Sequence, residues 1–300
     1  MTDRGSTVSA GWSCCASTDY NRGMTQDANY RNTDHAPLDL KSLFGLSGKV
    51  AVVTGGSRGI GYMIAAGLVA NGVKVYITAR KAAQCDAAAA ELSQAEPGHG
   101  ECISIPADMS TAAGIASLVS AFSENENQLD ILVNNAGAAW GAPLGEFPEM
   151  GFDKVMDINV KAPFMLTQAF LPQLKAGASD EDPARVVMIG SIDGIRVPVG
   201  DNYSYSASKA AIHMMTRHMA SHLVGEHILL NSIAPGPFPS KMMAYMLDDE
   251  DNRNMVEGTN PRKRVGTPQD IAGTVIFLSS RASAYTTGTV IPVDGGISTL

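Results

Sequence analysis

The chain has 300 residues, of which 45% are hydrophobic and 17% charged, and its formal net charge is −8. This composition supplies a large core and excludes a wholly disordered chain. The acidic balance gives no electrostatic basis for binding nucleic acid or an anionic membrane, and no apolar run approaches the roughly 20 residues of a membrane span. The four cysteines show neither a disulfide framework nor metal-ligand spacing, so we expect a reducing, cytoplasmic setting.

Residues 1–44 form a first segment that differs in composition from the rest of the chain. They are rich in Ser, Thr, Asn, Asp and Gly and show no apolar periodicity. Because such a sequence buries too little apolar surface to offset its ordering entropy, we predict a disordered N-terminal tail. The tail lacks the apolar centre of a secretory signal, and its aspartates argue against an organelle transit peptide. A dispensable tail is the simplest interpretation, and a transit or interaction segment is the alternative.

Residues 45–300 alternate between short apolar runs and helical patterns. Strands are predicted at residues 49–54, 74–78, 102–105, 131–133, 186–189, 229–233 and 290–293. Helices are predicted at residues 62–71, 82–95, 112–124, 152–174 and 205–223. This alternation is typical of right-handed βαβ units around a parallel sheet that is buried on both faces. We therefore predict an α/β fold, a single doubly wound Rossmann domain whose central parallel sheet is flanked by helices on both faces.

A glycine-rich segment connects the first predicted strand to the first predicted helix. Glycine permits a tight turn and the close approach of a phosphate, and the helix N-terminus offers free N–H groups and a positive partial charge. In this position the segment predicts a pyrophosphate-binding turn of a dinucleotide site. Its residues are Gly55, Ser57, Arg58, Gly59, Ile60 and Gly61.

The end of the second predicted strand indicates which dinucleotide is bound. A carboxylate about 20 residues past the glycines binds the adenosine ribose of NAD, but this chain has Thr78-Ala79-Arg80-Lys81 at that point. Arg80 and Lys81, together with Arg58, offer cations to a 2′-phosphate. We therefore predict NADP(H) as the cofactor; the alternative is that these residues are ordinary surface cations.

The second half of the chain contains side chains suited to proton transfer. Tyr205 and Lys209 are four residues apart on a predicted helix and share one face. A nearby ammonium favours the phenolate, so we expect this tyrosine to exchange a proton near neutral pH. Ser191 follows a buried strand, where its hydroxyl can stabilise charge that develops on a carbonyl oxygen. Asp193 is interpreted either as a loop-capping residue or as a substrate contact.

Taken together, these features resemble the short-chain dehydrogenase/reductase family over residues 46–300. Beyond the glycine turn, Ser191 and the Tyr205/Lys209 pair, further segments match the family in its order. They are Ala107-Asp108, Asn134-Asn135-Ala136-Gly137, Met156-Asp157-Ile158-Asn159-Val160 and Pro235-Gly236-Pro237-Phe238-Pro239-Ser240. Ser240 stands where threonine is commoner.

The resemblance assigns roles to these residues. It implies that Ser191, Tyr205, Lys209 and Asn159 are catalytic, with Asn159 in a proton relay with Lys209. It implies that the adenosine half of the cofactor is lined by Asp108, Met109, Asn135, Ala136 and Gly137. On the nicotinamide side it places Tyr205, Lys209, Pro235, Gly236, Phe238 and Ser240, with Phe238 beside the carboxamide. The family further implies a small-molecule ketone or alcohol substrate and a homodimer or homotetramer.

Within the family, the chain is most similar to NADPH-dependent 3-oxoacyl reductases of the rhamnolipid-associated type. This similarity predicts reduction of a 3-oxoacyl or polyketide-like ketone to a secondary alcohol. One alternative is a dehydrogenase of a sugar, polyol or other secondary alcohol. A second alternative is a non-catalytic NADP(H)-binding regulatory protein, against which the presence of both Tyr205 and Lys209 argues.

Two further patterns bear on the substrate and on metals. Residues 237–266 follow the nicotinamide-side turn and are expected to form a substrate lid, in which Met242, Tyr245 and Met246 share one helical face. That face either contacts an apolar substrate or simply packs on the sheet edge. His218 and His222 are four residues apart, but no third ligand is indicated, so we predict no metal site.

Overall fold

The computed structural model describes residues 37–94 and 100–299. Its seven strands form one parallel sheet in the order β3-β2-β1-β4-β5-β6-β7. They are β1 (Val50–Thr54), β2 (Lys74–Thr78), β3 (Cys102–Ser104), β4 (Ile131–Asn134), β5 (Ala184–Ile189), β6 (Ile228–Pro235) and β7 (Val290–Val293). The predicted α/β fold with a doubly wound parallel sheet is confirmed.

The helices connect successive strands and cover both faces of the sheet. In chain order they are α1 (Leu40–Phe44), α2 (Gly59–Ala70), α3 (Ala82–Gln94), α4 (Ala112–Ser123), α5 (Glu149–Met156), α6 (Ala162–Ala169), α7 (Leu171–Gly177), α8 (Tyr203–Leu223), α9 (Ala244–Leu247), α10 (Glu250–Thr259) and α11 (Pro268–Ser279). None of the helices in the described residues is long and apolar enough to cross a membrane.

The core has two layers, one on each face of the sheet, and the side chains of β1 alternate between them. Ala51 and Val53 contact the layer that contains α2, α3 and α11, whereas Val50 and Val52 contact the layer that contains α4, α6, α7 and α8. Every residue of β1, β4, β5 and β6 is buried, as expected of strands with helices on both faces. This double burial explains why the strands read as continuous apolar runs.

The helix predicted over residues 152–174 is interrupted. The structure has α5, then a π-helical turn at Asp157–Lys161, and then α6 and α7. Pro163 and Pro172 lie in the first turns of α6 and α7, where the missing proline N–H costs nothing, although it breaks a continuous helix. The π-turn carries Asn159, and such turns are frequent at functional sites.

The boundary of the predicted N-terminal tail needs a correction. Residues 1–36 lie outside the described part of the chain, but α1 falls within the predicted tail of residues 1–44. Asp39 caps this helix, because its carboxylate accepts hydrogen bonds from the backbone N–H groups of Lys41 and Ser42 at 3.0 and 3.1 Å. The short helix has no buried residue, which is why its sequence resembles that of a tail.

Two helices near the C-terminus were not predicted. Asp249 caps α10 through the N–H of Asn252. A capping box between Thr267 and Asp270 precedes the apolar face of α11. Both helices begin with recognisable capping residues, a signal that the sequence analysis did not use.

Candidate active site

The loops that carry the predicted site residues meet at one edge of the sheet. The strands are parallel, so the segments after β1, β4, β5 and β6 all leave from their carboxyl ends. The strand order also reverses between β1 and β4, which makes this edge the place where open α/β sheets bind ligands. The sheet therefore brings the glycine turn and the proton-transfer residues to the same side of the molecule.

The glycine turn after β1 has the geometry of a phosphate cradle. Gly55 and Gly59 adopt positive φ angles of 66° and 54°, which side chains disfavour. A Cβ on Gly61 would overlap the carbonyl of Gly55 and the side-chain amide of Asn135. Arg58, at the N-cap of α2, makes no side-chain cap bond, so the first N–H groups of the helix are free to bind an anion. Ser57 and Ile60, partly buried, complete the turn.

A threonine that the predicted site omits ties the glycine turn to β4. The Thr54 hydroxyl accepts hydrogen bonds from the backbone N–H groups of Asn135 and Ala136, both at 2.9 Å. It also donates to the carbonyl of Val133 at 3.3 Å, and Asn135 Nδ2 donates back to the Thr54 carbonyl at 2.8 Å. Thr54 is thus a positioning residue, and its polar side chain at the end of an apolar strand is the signal that could have identified it.

The adenosine side is built from exposed cations and one carboxylate. Arg58 and Arg80 are exposed, and no carboxylate follows β2. Asp108 lies near Arg80, and its Oδ1 accepts hydrogen bonds from the N–H and hydroxyl of Ser110 at 3.0 and 2.8 Å. Partial burial opposes ionisation of Asp108, but the Ser110 hydrogen bonds and the charge of Arg80 lower its pKa overall. Met109 is buried beneath this loop.

Ser191, Tyr205 and Lys209 converge where β5 approaches α8. Ser191 is 7% exposed and accepts a hydrogen bond from the Asp193 N–H at 3.1 Å, and its hydroxyl faces the phenol of Tyr205. Lys209 is 6% exposed, and its Nζ lies 5.5 Å from the centre of the Tyr205 ring. The same Nζ donates to the Ile189 carbonyl at 2.7 Å. The structure thus brings these three predicted residues together.

The protonation of this trio differs from the expectation for Tyr205. Burial raises the pKa of Tyr205 to about 12; the Ser191 hydroxyl opposes this shift and the charge of Asp193 adds to it. Burial also lowers the pKa of Lys209 to about 8. In the protein without cofactor, burial thus shifts the pKa of Tyr205 in the direction opposite to the one expected from the ammonium. Tyr205 holds its proton at neutral pH.

Asn159 is buried in the π-turn behind this trio. Its Nδ2 donates to the Ser208 hydroxyl and to the Ala138 carbonyl, both at 2.9 Å, and its Oδ1 accepts from the Ala138 N–H. It therefore links the strand-end loop after β4 to α8, and it reaches Ser208 rather than Lys209 directly. A Cβ on Gly137 would lie 3.0 Å from Asn159 Oδ1, so the loop requires a small residue there.

The turn after β6 borders the glycine turn. The backbone N–H of Gly236, next to Pro235, donates to the Val293 carbonyl at 3.0 Å. Ser240 lies against the glycine turn, since its Cβ would be 3.2 Å from a Cβ placed on Gly59. The ring of Phe238 is 2% exposed and packs on Gly266. That Phe238 lies beside the carboxamide stays a prediction.

The predicted lid helix is shorter than expected. Helix α9 contains only Ala244–Leu247, so Met242 precedes it and does not share a helical face with Tyr245 and Met246. Tyr245 is 74% exposed, whereas Leu247 is the buried residue of this turn. The prediction failed because the acidic residues that follow start a new capped helix, α10, and do not extend α9.

His213 is a buried residue near the site that the sequence analysis did not use. It lies one turn beyond Lys209 on α8, and its ring packs on Gly190, immediately before Ser191. Burial lowers the pKa of His213 to about 4, and the charges of Lys209 and Arg217 add to this shift although a hydrogen bond to the Gly194 backbone opposes it. His213 is therefore neutral at pH 7, and its ring packs between α8 and the loop after β5.

His218 and His222, which the sequence analysis considered as metal ligands, lie close together on α8. The rings of His218 and His222 have centroids 5.1 Å apart on α8. Within the described residues, no group of three or more His, Cys, Asp or Glu side chains is arranged to hold a metal ion.

Comparison with known proteins identifies the family. Residues 55–298 match the family model described as enoyl-(acyl carrier protein) reductase. The chain is 47% identical over 253 residues to the rhamnolipids biosynthesis 3-oxoacyl-[acyl-carrier-protein] reductase of Pseudomonas aeruginosa, covering 84% of this chain and 97% of that protein. It is 32% identical over 261 residues to 5-keto-D-gluconate 5-reductase of Escherichia coli, covering 86% and 98%.

A solved structure supports the same assignment. The Pseudomonas aeruginosa RhlG/NADP active-site complex superimposes with a TM-score of 0.82 at 47% identity, covering 86% of this chain and 99% of that one. The chain belongs to the short-chain dehydrogenase/reductase family.

Proposed function

We propose that the protein is an NADPH-dependent reductase that converts a 3-oxoacyl or polyketide-like ketone to a secondary alcohol. The observation that carries this proposal is the convergence of the Tyr205 phenol with the Ser191 hydroxyl and the Lys209 side chain. A proton donor and a hydrogen-bond donor thus converge on one point. The similarity to the 3-oxoacyl reductase of Pseudomonas aeruginosa supports the substrate class.

In the proposed mechanism, Ser191 and Tyr205 act on the ketone oxygen. The Ser191 hydroxyl donates a hydrogen bond that stabilises negative charge as it develops there. The Tyr205 hydroxyl transfers its proton to the same oxygen, forming the alcohol and leaving a phenolate that solvent reprotonates. The ammonium of Lys209, held by the Ile189 carbonyl, stabilises that phenolate. Asn159 fixes the loop after β4 against α8 through Ser208.

NADP(H) fits the other half of this edge. The positive φ angles of Gly55 and Gly59 leave space beside the free N–H groups of α2 for a pyrophosphate. Arg58 and Arg80 offer cations to the 2′-phosphate, and the turn at Pro235, Gly236, Phe238 and Ser240 borders the nicotinamide side. When bound, the cofactor supplies the hydride that the ketone carbon receives. The residues around the adenosine would be Asp108, Met109, Asn135, Ala136 and Gly137.

The test of this proposal compares the wild type with Tyr205→Phe in an assay of NADPH oxidation. We expect kcat to fall about 10²–10⁴-fold, since one positioned proton donor contributes that much. Tyr203→Phe is the matched control, because Tyr203 is an exposed residue of the same helix turn that donates to Asp201. Equal turnover by the wild type and Tyr205→Phe would remove the assignment, and binding of NADPH without any turnover would favour the regulatory alternative.

The substrate panel decides between the two enzymatic candidates. The identity to 5-keto-D-gluconate 5-reductase favours a keto-sugar acid as the second candidate. We expect a medium-chain 3-oxoacyl thioester to have the higher kcat/KM, because the expected lid at residues 237–266 includes Met242 and Met246, whose unbranched apolar side chains suit an acyl chain better than a sugar. A higher kcat/KM for the keto-sugar acid would leave a ketoreductase of different specificity.

We also propose that the protein is a cytoplasmic homodimer or homotetramer, in which residues 237–266 close over the substrate. Exposed apolar side chains on α5, α6 and α8 support self-association, because a monomer in water leaves them uncovered. They are Met150, Phe152, Phe164, Met165 and Met214. Light scattering that finds a monomer would contradict the assembly, and cell fractionation tests the location.

A further inference from the structure

The loop that carries Ser191 is tied to the helix that carries Tyr205 by a side chain outside the predicted catalytic set. The N–H of Asp193 donates to Ser191 Oγ at 3.1 Å, and Asp193 Oδ2 accepts from Asn202 Nδ2 at 3.1 Å. Asn202 immediately precedes α8. Asp193 therefore contacts Ser191 through its backbone and the N-cap residue of the Tyr205 helix through its carboxylate.

The Asn202 side chain contacts Asp193 in place of making an N-cap hydrogen bond to α8. Asparagine is among the preferred N-cap residues, and a capping side chain contributes about 1 kcal/mol. Here the Asn202 side chain makes no cap bond with α8, and its buried Oδ1 has no hydrogen-bond partner among the described residues. The amide is turned toward Asp193 instead of toward the helix. A local cost of this kind indicates that the contact between loop and helix has a purpose at the site.

The charge of Asp193 also acts on Tyr205. Lys209 on α8 lies beside the phenol, and Arg196 on the Ser191 loop faces Asp193. Burial raises the pKa of Asp193, whereas the hydrogen bond from Asn202 and the charge of Arg196 oppose this shift. The Lys209 ammonium is engaged by the Ile189 carbonyl, and the neutral His213 lies behind it. Asp193 is thus the negative charge that faces Tyr205 within the described residues. Burial is the larger cause of the raised Tyr205 pKa, and this charge adds to it.

We propose that Asp193 is a positioning residue for ketone reduction, which fixes the Ser191 loop on the N-cap residue of α8 and thereby holds Ser191 against Tyr205. This inference rests on the proposed function. Reduction consumes the phenol proton, whereas oxidation of an alcohol begins from the phenolate. A negative charge beside Tyr205 therefore extends the pH range in which the protein reduces ketones and raises the pH at which it oxidises alcohols.

The experiment compares pH profiles of kcat/KM for wild type, Asp193→Asn and Asp193→Ala in both reaction directions. Asp193→Asn keeps a hydrogen-bonding partner for Asn202 but removes the charge. We expect its alkaline limb in reduction and its acidic limb in oxidation to move to lower pH by on the order of 0.5–1 unit. For Asp193→Ala we expect the same shift and, in addition, a fall in kcat of about tenfold with the Kd for NADPH unchanged.

Two control variants separate the charge from the fold. Asp201→Asn makes the same change of charge on an exposed residue of the same loop and should leave both limbs in place. The double variant Asp193→Asn/Asn202→Asp restores an amide–carboxylate pair with the carboxylate on the helix side, and it should recover part of the wild-type profile. Thermal unfolding of each variant reports whether the fold is intact.

The outcomes are distinguishable. A wild-type pH profile in Asp193→Asn overturns the role of the charge, and a wild-type kcat in Asp193→Ala overturns the role in positioning. In either case an active wild type leaves the proposed function standing. A wild type that binds NADPH but reduces no ketone overturns the proposed function, and this inference with it.

Discussion

The candidate site has two halves, the glycine turn proposed to bind the cofactor and the proton-transfer residues around Tyr205, and they depend on different physical effects. Around the glycine turn, the groups proposed to bind the cofactor are backbone N–H groups at the start of α2 and exposed cations such as Arg58 and Arg80. Around Tyr205, they are partly or fully buried side chains whose pKa values are strongly shifted. The first half depends on backbone shape and screened charge, whereas the second depends on desolvation.

This difference determines what a mutation changes. In the exposed half, side chains cost the fold little, so substitutions there act mainly on the affinity for the cofactor. In the buried half, Lys209 is held as a cation in a place that disfavours cations, so the site lowers the stability of the fold. Activity and stability should therefore move in opposite directions only in the buried half.

The largest effect is expected from Lys209→Met. We expect kcat to fall at least about 100-fold, because the phenolate of Tyr205 loses its neighbouring cation. The free energy of unfolding at pH 7 should nevertheless stay the same or rise. A folded-state pKa of about 8 against an unfolded value of 10.5 means that the buried ammonium costs the fold about 3 kcal/mol below pH 8, and methionine removes this cost. The lost hydrogen bond to Ile189 offsets about 1–3 kcal/mol.

Denaturant unfolding over a pH series checks the sign of this effect. Since the folded-state pKa lies below the unfolded one, the wild type should gain stability as pH rises from 8 toward 10.5, and Lys209→Met should lack that gain. Lys41→Met, in the exposed helix α1, is the matched control and should change neither kcat nor stability by a measurable amount. A variant markedly less stable than the wild type at pH 7 would contradict the desolvation argument.

A smaller effect is expected from Arg80→Asp in the exposed half. Removing a charge-assisted bond to the 2′-phosphate costs about 1.5–3 kcal/mol, so the Kd for NADPH should rise tenfold or more while that for NADH changes little. Arg281→Asp is the control, since it makes the same change of charge after α11, near the start of β5 at the other edge of the sheet. A wild type that binds NADH as tightly as NADPH would remove the role of Arg80.

The sequence predicted the sheet well because its strands are buried on both faces. The runs at β2 and β7 match the predicted ranges, and the others differ by one or two residues at one or both ends. The sequence failed where local chemistry competes with apolar pattern. Pro163 and Pro172 break one predicted helix into several, and Asp249 begins a capped helix that the sequence analysis did not predict.

At the site, the sequence identified residue types but not their protonation. The spacing of Tyr205 and Lys209 indicates that they share a face, but only the packing of α8 against β5 and β6 reveals how deeply they are buried. Asn202 and His213 were missed for a related reason. Each acts through a hydrogen bond or a packing contact with a residue on a separate loop, and no pattern along the chain records such a contact.

The smallest effect is expected from ionic strength, and it separates the two halves without any mutation. Exposed charges are screened beyond about 10 Å at 0.1 M salt and beyond about 3 Å at 1 M, whereas buried pairs are screened much less. Raising the salt concentration should therefore increase the Kd for NADPH several-fold through Arg58, Arg80 and Lys81. The Kd for NADH, which lacks the 2′-phosphate, should change less, and Arg80→Asp should flatten the dependence for NADPH. At saturating NADPH, kcat should vary by less than about twofold, because Tyr205 and Lys209 are shielded from the added ions.

Fluorescence titration of both nucleotides across a salt series measures the change in Kd, and initial rates measure the change in kcat. A kcat that falls as steeply as the cofactor affinity would mean that the buried half is open to solvent, and the division between the two halves would not hold.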